Sequence, residues 1–543
     1  MGDGIRRVEP GTRRGEVRFP VVGDGKEGEP EDLPDRPSAN ASLRQLSVNV
    51  AFSYVNFAIG IVLSLVLTRV LLRHLGASTY GLWIVLLALV GYLILLDLGV
   101  STAAVQRVAR LMAVGDREGV ADLIRTLWAF FAMSGIAVVV VTVGLAPFLT
   151  SFLNVGAISP TVVGTTLVIL GVMSALRLLA VVPNSILFGS GRNDRQSQIG
   201  LIALVLTQAG QVVAVLAGAG LIVLAIVQAA GVGLGFVLTS SVAGRVTGSS
   251  LRKGRFDGSL LRELLRFGGM QTMIALGSVV SFQLDAFVIG VILPVAQVAP
   301  YSVALNTANF TRSLSTQGSA LLLPTYSHLD AVADRDRQAK YFFNAIMLSL
   351  AVSVPMVIAM AVFGQAMLTV WLGSVPPKTY GIMIALGVVT LLQLPGQQGF
   401  LFLTGAGRNR KLAGLAVLGA SVNLIGSIVA TYWLGPIGPA IGSLPVVLVL
   451  DFTVLPMMVC RYIGVPVGRY ARMALGPILP VGIAAATTAL ALDRLHPAHG
   501  GIAAIVSSVV VCIVGWAALV LIVARLEPEL RAAVWQRVRR RRP

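Results

Sequence analysis

Residues 299–324 read APYSVALNTANFTRSLSTQGSALLLP, and this stretch decides the fold. It is long enough to cross a bilayer as one helix, which takes about 20 residues. Arg312 lies near its middle, with Asn306 and Asn309 before it. A cation at that depth costs roughly 2.5–3.5 kcal/mol on insertion scales, so it is tolerated where it faces a polar cavity. We therefore expect a transmembrane helix that presents Arg312 to a water-accessible chamber; the alternative is a pairing with an acid on a neighbouring helix.

The composition fixes the broad class. Of the 543 residues, 56% are hydrophobic and only 12% are charged, which predicts an all-α polytopic membrane protein. The net charge of +18 also suits nucleic-acid binding, but the basic residues fall in short clusters between apolar runs, which excludes that class. The four histidines show no ligand spacing, so we expect no metal, no cofactor and no catalytic residue.

Apolar runs predict fourteen transmembrane helices, each bounded to within a few residues. Residues 1–43 are instead polar and rich in Gly, Pro and charge, which predicts a disordered tail without a signal peptide. The spans lie near 46–72, 79–101, 124–149, 160–188, 197–219, 220–243, 264–291, 296–325, 340–364, 379–404, 411–432, 434–460, 470–492 and 502–525.

The distribution of basic residues sets the predicted orientation. Loops after even-numbered spans carry clusters of Arg and Lys, whereas those after odd-numbered spans hold little beyond Arg73, Lys378 and Arg494. The positive-inside rule then places both termini in the cytoplasm. Residues 526–543 form a polybasic tail that we expect to lie against anionic lipid, either with a specific partner or simply as a topology anchor.

Two segments reveal an internal repeat. Residues 179–193 read LAVVPNSILFGSGRN, and residues 392–409 read LQLPGQQGFLFLTGAGRN. Their Gly-x-Gly-Arg-Asn motifs begin at Gly189 and Gly405, a separation of 405 − 189 = 216 residues. Each motif follows a membrane helix rather than a strand, so it predicts a helix C-cap with a left-handed glycine, not a phosphate loop.

This repeat predicts two pseudo-symmetric six-helix lobes and a C-terminal helix pair. The expected divisions are an N-lobe at 44–243, a linker at 244–263, a C-lobe at 264–463, the pair at 464–525 and the basic tail at 526–543. Parallel repeats of this kind suggest alternating access, with a site between the lobes near the midplane. The helix pair is expected either to provide a lipid-facing groove or to serve as packing.

Arg177 in span four and Arg312 in span eight have similar predicted depths. If both face one cavity they form a cationic centre, and forked guanidinium hydrogen bonds suit phosphate or a pyrophosphate-linked substrate. The competing interpretation is a pair of ion pairs, Arg177 with Asp97 and Arg312 with Asp285.

Further polar residues lie within spans. Gln397 follows Pro395 in span ten, and we group it with Arg312, Arg177, Asn306 and Asn309 as the expected substrate-binding residues. Three acids, Asp285, Asp97 and Asp451, are expected to orient the arginines or to couple transport to ions. Prolines can loosen their helices and serve as bending points: these are Pro183, Pro324 and Pro395, although Pro324 lies close to a span end, where the alternative is that it only terminates the span.

Two stretches resemble a known family. Residues 67–109 read LTRVLLRHLGASTYGLWIVLLALVGYLILLDLGVSTAAVQRVA, which is similar to the first helix pair of polysaccharide exporters. Residues 264–290 read LLRFGGMQTMIALGSVVSFQLDAFVIG and resemble their seventh helix. The group is the multidrug/oligosaccharidyl-lipid/polysaccharide (MOP) exporter superfamily, in its polysaccharide transporter branch. Arg312 would match an arginine on the eighth helix of the more distant lipid II flippases, whereas residues 49–60, NVAFSYVNFAIG, lack the arginines of their first helix.

The resemblance implies a V-shaped pair of six-helix bundles that flips an undecaprenyl-pyrophosphate-linked glycan, such as an O-antigen precursor, across the bacterial cytoplasmic membrane. No covalent step is expected, so the protein is not expected to be an enzyme. Expected partners are the lipid-linked glycan, anionic lipids and a polysaccharide polymerase or glycosyltransferases. Two alternatives stay open: a cation-coupled multidrug or metabolite exporter of the same superfamily, and a membrane glycosyltransferase or ligase. The glycosyltransferase or ligase is disfavoured because the outer loops are short and the only acid near them is Asp493.

Overall fold

The computed structural model describes residues 39–153, 155–156, 158–247, 254–317, 319, 322–495 and 501–526. Most of the predicted N-terminal tail and nearly all of the basic C-terminal tail lie outside these residues. The chain divides into two compact units, Met1–Phe52 and Ser53–Pro543. All contacts reported below lie within the second unit.

Helices make up the regular structure of the described residues. The helix α1 begins at Ala39, within the stretch predicted to be a disordered tail. The last helix-breaking residue of that stretch is Pro37, two residues before the helix, so the chain can be helical after it. The helices are α1 Ala39–Tyr92, α2 Val100–Ala113, α3 Arg117–Phe152, α4 Pro160–Gly189, α5 Asn193–Leu216, α6 Leu221–Thr247, α7 Gly258–Ile292, α8 Val298–Thr316, α9 Leu322–Ala331, α10 Arg335–Leu372, α11 Thr379–Gly405, α12 Asn409–Leu434, α13 Gly438–Val446, α14 Leu455–Ile463, α15 Val467–Tyr470, α16 Ile478–Leu495 and α17 Ile502–Leu526.

Ten stretches of the described chain are long and apolar enough to cross a membrane. Two of them contain an internal break: Asn56–Asp97 is interrupted at Gly76, with a φ of 76°, and Lys411–Ile463 contains a tight turn at Gly435–Ile437. The all-α multi-pass membrane fold is therefore confirmed. The ten stretches do not include α7 or α8, so the number fourteen stays a prediction.

The stretch at 299–324 does not form the single helix expected for it. The helix α8 ends at Thr316, and a second helix, α9, begins at Leu322. Pro324 lies in the first turn of α9, where its missing N–H costs nothing, so it starts a helix rather than bending one. With 19 residues, α8 is about 28 Å long at about 1.5 Å per residue, still close to the thickness of a bilayer core.

The repeated glycine motifs adopt the same geometry in both halves, which we define as α1–α6 and α7–α14. In each motif the second glycine is left-handed, with a φ of 72° at Gly191 and 71° at Gly407. The N–H of the following arginine donates to the carbonyl five residues before it, at 2.8 Å in the first motif and 2.9 Å in the second. The predicted C-caps are confirmed.

The two halves correspond at a second position. Asp116 caps α3 by accepting from the N–H of Gly119 at 2.8 Å, and Asp334 caps α10 by accepting from the N–H of Arg337 at 3.1 Å. The turn from α2 to α3 in the first half and the turn from α9 to α10 in the second half therefore use the same capping device.

Beside the second of these turns lies a cluster around Asp330. Its carboxylate accepts from Tyr462 at 2.7 Å and from Arg335 and Gln338 at 3.1 Å. Partial burial alone raises the pKa of Asp330, but these hydrogen bonds and the nearby positive charge hold it below its ordinary value. The cluster ties the end of α14 to the turn between α9 and α10.

The largest buried core joins the two halves at the end of the bundle that carries Gly76 and Val295–Gln297, here called the outer end. It includes Tyr80 and Trp83 of α1 and Tyr301 of α8. The hydroxyl of Tyr80 also lies 3.0 Å from the hydroxyl of Ser302. Extensive apolar contact of this kind stabilises the junction of the two halves at the outer end.

Nearer the opposite end, which carries the arginine-rich loops and is here called the basic end, two backbones touch. A Cβ atom on Gly99 would lie 2.3 Å from the carbonyl oxygen of Gly268, and one on Gly268 would lie 2.5 Å from that of Leu98. The segment before α7 is fastened to α3 as well, because the N–H of Arg255 donates to Asp122 at 2.7 Å. Only glycines permit this approach of α7 to the start of α2.

We expect Gly268→Ala to lower the stability of the purified protein by about 1–3 kcal/mol, because the added methyl overlaps a backbone carbonyl that cannot rotate away. The matched control is Gly269→Ala, where a Cβ meets nothing within 4 Å and the change should be neutral or slightly stabilising. Thermal unfolding in detergent checks both variants. Equal unfolding temperatures would contradict the contact.

Candidate functional site

A cavity of about 410 Å³ lies inside the second half of the bundle. We call it the C-half cavity. Its polar lining comes from four elements: Arg312 on α8, Gln393 and Gln397 on α11, Asn423 on α12, and Asp451 on the segment before α14. The remaining lining is apolar: Gly396, Phe400, Leu412, Leu415, Ala416, Gly419, Ala420, Val446, Val447, Leu450 and Leu455.

Arg312 is oriented from its own helix. Its Nη2 donates to Oδ1 of Asn309, one turn earlier, at 2.9 Å. The side chain is half-buried and borders the cavity, as expected for an intramembrane cation. Asn306 is also half-buried, but it is not among the residues that line the C-half cavity. Asn309 thus acts on Arg312 rather than lining the cavity itself.

The glutamines of α11 divide between two tasks. Gln393 and Gln397 are one turn apart and both line the cavity. Gln398 points elsewhere, because its Nε2 donates to the hydroxyls of Ser319 and Ser349 at 2.8 Å each. The expectation that Gln397 faces a cavity fits this geometry. Pro395 lies between Gln393 and Gln397 without ending the helix.

Asp285 is buried and bound by hydroxyls. Its carboxylate accepts from Tyr301 of α8 at 2.5 Å and from Ser427 of α12 at 3.1 Å. Ser427 lies one turn from Asn423, which lines the cavity. Asp285 therefore fixes α8 and α12 relative to α7, and Asn309 is a residue that hydrogen-bonds Arg312 directly.

Arg177 borders a different space. A cavity of about 270 Å³ in the first half, the N-half cavity, is lined by Arg177 and Ser174 of α4 and by Gln228 of α6. Gln228 is held by Gln211 of α5, whose Nε2 donates to its Oε1 at 2.8 Å. The structure thus gives each half one arginine beside its own cavity, rather than lining one described cavity with both.

Asp97 has a local partner. It accepts from both the N–H and the hydroxyl of Ser101, at 3.0 and 2.6 Å, and so caps the start of α2. The alternative pairing of Asp97 with Arg177 is not among the ion pairs found in the described part of the chain. Ser101, one turn away, satisfies the carboxylate of Asp97 without a long-range contact, which disfavours an ion pair with Arg177.

A third cavity, of about 620 Å³, is almost entirely apolar. We call it the apolar cavity. Residues of α1, α8, α10, α11 and α17 line it. Of the predicted C-terminal helix pair, α17 thus borders a groove, which was one of the two expectations for the pair, whereas α16 does not line it. Arg69 borders it and donates to the carbonyl of Val370 at 3.2 Å. Sequence reasoning missed the methionines of this lining: Met356, Met360, Met367 and Met383.

Sequence reasoning also missed Tyr301, Asn423 and Ser427. A signal was present for the last two, because polar residues spaced four apart share one face of a helix. Nothing in the sequence alone paired Tyr301 with Asp285, since that contact depends on how α7 and α8 pack.

Comparison with known proteins places the chain. A family model described as polysaccharide biosynthesis protein matches residues 70–375, more than half of the chain. A search of curated proteins finds no match. A polysaccharide-related family is what the resemblance to polysaccharide exporters predicted, and the family model confirms it.

Solved structures share its fold. The lipid II flippase MurJ in an inward closed conformation has a TM-score of 0.69, covering 88% of this chain and 99% of that one at 13% identity. An inward-facing MATE family multidrug resistance transporter of the MOP superfamily scores 0.58, covering 75% and 98% at 17% identity. The Vibrio cholerae MATE transporter VcmN in a bent form scores 0.51, covering 78% and 98% at 12% identity. The chain thus has the fold of MurJ and the MATE transporters, and it belongs to the polysaccharide biosynthesis protein family.

Proposed function

We propose that this protein is a flippase that moves an undecaprenyl-pyrophosphate-linked oligosaccharide or polysaccharide precursor across the bacterial cytoplasmic membrane by alternating access. The observation that carries the proposal is the C-half cavity, where Arg312 borders a polar space inside a membrane bundle. The family description, polysaccharide biosynthesis protein, supports a glycan cargo. A protein of the same fold is named a lipid II flippase.

The pyrophosphate is assigned to Arg312. A guanidinium offers forked donors that match phosphate oxygens, which an ammonium cannot do. Asn309 fixes the direction of the fork, and Gln397 borders the cavity from α11. Arg177 in the N-half cavity is the second cation of the proposal, and Asn306 completes the polar face of α8.

The lipid tail is assigned to the apolar cavity. Its lining consists mainly of methionine, aromatic and aliphatic side chains, so an isoprenoid chain can enter without breaking hydrogen bonds. The flexible methionines can adapt to the shape of that chain. The helix α8 separates the two cavities: Arg312 borders the C-half cavity, and its neighbour Thr311 borders the apolar cavity. A head group and a tail joined by one pyrophosphate can therefore sit on adjacent faces of the same helix.

Alternating access requires that the contacts between the halves break in turn. The apolar core around Tyr80 and Tyr301 joins the halves at the outer end, and the approach of Gly99 to Gly268 joins them nearer the basic end. Asp97 accepts from the first turn of α2 next to Gly99, so the surroundings of its carboxylate would change when the contact of Gly99 with Gly268 opens. Asp97, Asp285 and Asp451 are the proposed coupling or orienting acids.

The proposal includes a location and partners. Both termini lie in the cytoplasm, the polybasic tail contacts anionic lipid, and the glycan is received from glycosyltransferases and passed to a polymerase. Most of that tail, residues 527–543, lies outside the described residues. No covalent step by this chain is part of the proposal.

We expect Arg312→Ala to abolish glycan export, because the phosphate loses both its charge and its forked donors. Arg312→Lys should retain a minor part, since it keeps the charge alone. The control is Arg195→Ala, which removes an exposed arginine from α5 and should leave export unchanged. Export is measured as surface glycan in a strain whose own gene is deleted, with membrane levels checked by immunoblot.

Normal export by the Arg312→Ala variant would overturn the assignment of the pyrophosphate. The second candidate function is a cation-coupled drug or metabolite exporter, which the fold shared with MATE transporters and the carboxylate of Asp451 in the cavity favour. Efflux of a cationic dye by the intact protein, together with unchanged glycan export in the deletion strain, would establish that candidate instead.

A further inference from the structure

The carboxylate of Asp451 borders the C-half cavity. Within the described part of the chain, no hydrogen bond or ion pair engages it. The residue lies inside a membrane bundle, where an unsatisfied acid is costly and points to a function. A ligand that donates hydrogen bonds to this carboxylate would remove that cost.

The backbone around Asp451 has an unusual form. The residue lies in a π-helical segment, Val447–Val454, a rare form that is frequent at functional sites. The segment packs closely on α11, because a Cβ on Gly396 would lie 2.4 Å from the Cα of Asp451. Thr453 stabilises the wide turn by donating to the carbonyl of Leu448, five residues earlier, at 2.8 Å. The backbone of Asp451 is therefore held against α11 in the wall of the cavity.

The other lining groups define what kind of ligand fits. Gln393, Gln397 and Asn423 carry carboxamides, which both donate and accept hydrogen bonds. Phe400 adds a flat apolar ring. A carboxylate, several amides and one aromatic ring match a ligand with many hydroxyls and one apolar face. A bare metal cation fits less well, because Arg312 brings a positive charge to the same cavity.

We propose that the C-half cavity is a subsite for one pyranose ring, the sugar bonded to the pyrophosphate, and that Asp451 and Gln393 select it by hydrogen-bonding its hydroxyls. This rests on the proposed function, in which Arg312 holds the pyrophosphate. The sugar follows the phosphate directly, so it must lie within a few bonds of Arg312, inside the same cavity. Its volume of about 410 Å³ lies in the range of ligand pockets and is sufficient for one ring.

The test compares lipids with and without a sugar on the full-length purified protein. The probes are undecaprenyl pyrophosphate alone, and the same lipid carrying a single glucose, galactose or N-acetylglucosamine. Binding is followed by tryptophan fluorescence, since Trp371 and Trp516 line the apolar cavity assigned to the tail. The intact protein should bind at least one sugar-bearing lipid roughly tenfold more tightly than the sugarless lipid, as expected for hydrogen bonds to a charged group.

Asp451→Ala should remove this preference by weakening the sugar-bearing lipid roughly tenfold, while leaving the sugarless lipid unchanged. Asp451→Asn should keep part of the preference, because its carboxamide still bonds hydroxyls. Gln393→Leu should reduce the preference from the α11 side, and Arg312→Ala should weaken both lipids. The control, Asp194→Asn, changes an exposed aspartate on α5 and should change neither.

The alternatives give different results. If Asp451→Asn and Asp451→Ala fail equally in export while binding keeps its preference, the acid couples transport to a proton or cation, and the subsite is refuted. Equal binding of sugared and sugarless lipids by the intact protein refutes the subsite but leaves the flippase standing. Failure to bind any of these lipids overturns the proposed function together with the subsite.

Discussion

The second half of the bundle depends on one buried contact, the carboxylate of Asp285 held by the hydroxyls of Tyr301 and Ser427. In a medium without water, a carboxylate must be satisfied by the protein, so α8 and α12 can take only the rotations that deliver those hydroxyls. Arg312 lies eleven residues after Tyr301, about three helical turns, and so shares its side of α8. Asn423 lies one turn before Ser427. The contact thereby sets which polar groups of both helices face the C-half cavity.

The same constraint explains why the two halves are alike at their turns and different in their cavities. Helix ends must be capped wherever they occur, so the left-handed glycines at Gly191 and Gly407 have matching geometry. Cavity linings carry no such obligation. The N-half cavity presents Arg177 with Ser174 and Gln228, whereas the C-half cavity presents Arg312 together with the carboxylate of Asp451, for which the described residues show no hydrogen bond or ion pair.

The helix α8 lies between two cavities of opposite polarity, which suits the lipid-linked cargo proposed above. One of its faces borders the polar C-half cavity and another borders the apolar cavity. Amphiphilic cargo requires two such environments side by side, because its head group and tail cannot share one solvent. At the junction of the halves, the contact of Gly99 with Gly268 involves backbone alone. Beside it, Arg107 of α2 pairs with Glu263 of α7 at 3.5 Å, and Leu264 packs into an apolar cluster with α2 and α3.

The sequence by itself determined the membrane class and the glycine C-caps, and it singled out Arg312, which borders the C-half cavity, because hydropathy, glycine spacing and an intramembrane charge are local properties of the chain. It misjudged residues 299–324, where a proline that can start a helix as well as bend one began α9. The contact of Asp97 with Ser101 is local, but only tertiary structure decided that Asp285 accepts from Tyr301 and that Asp451 borders a cavity. Which hydroxyl reaches a carboxylate depends on helix rotation and packing, and a linear sequence does not specify those.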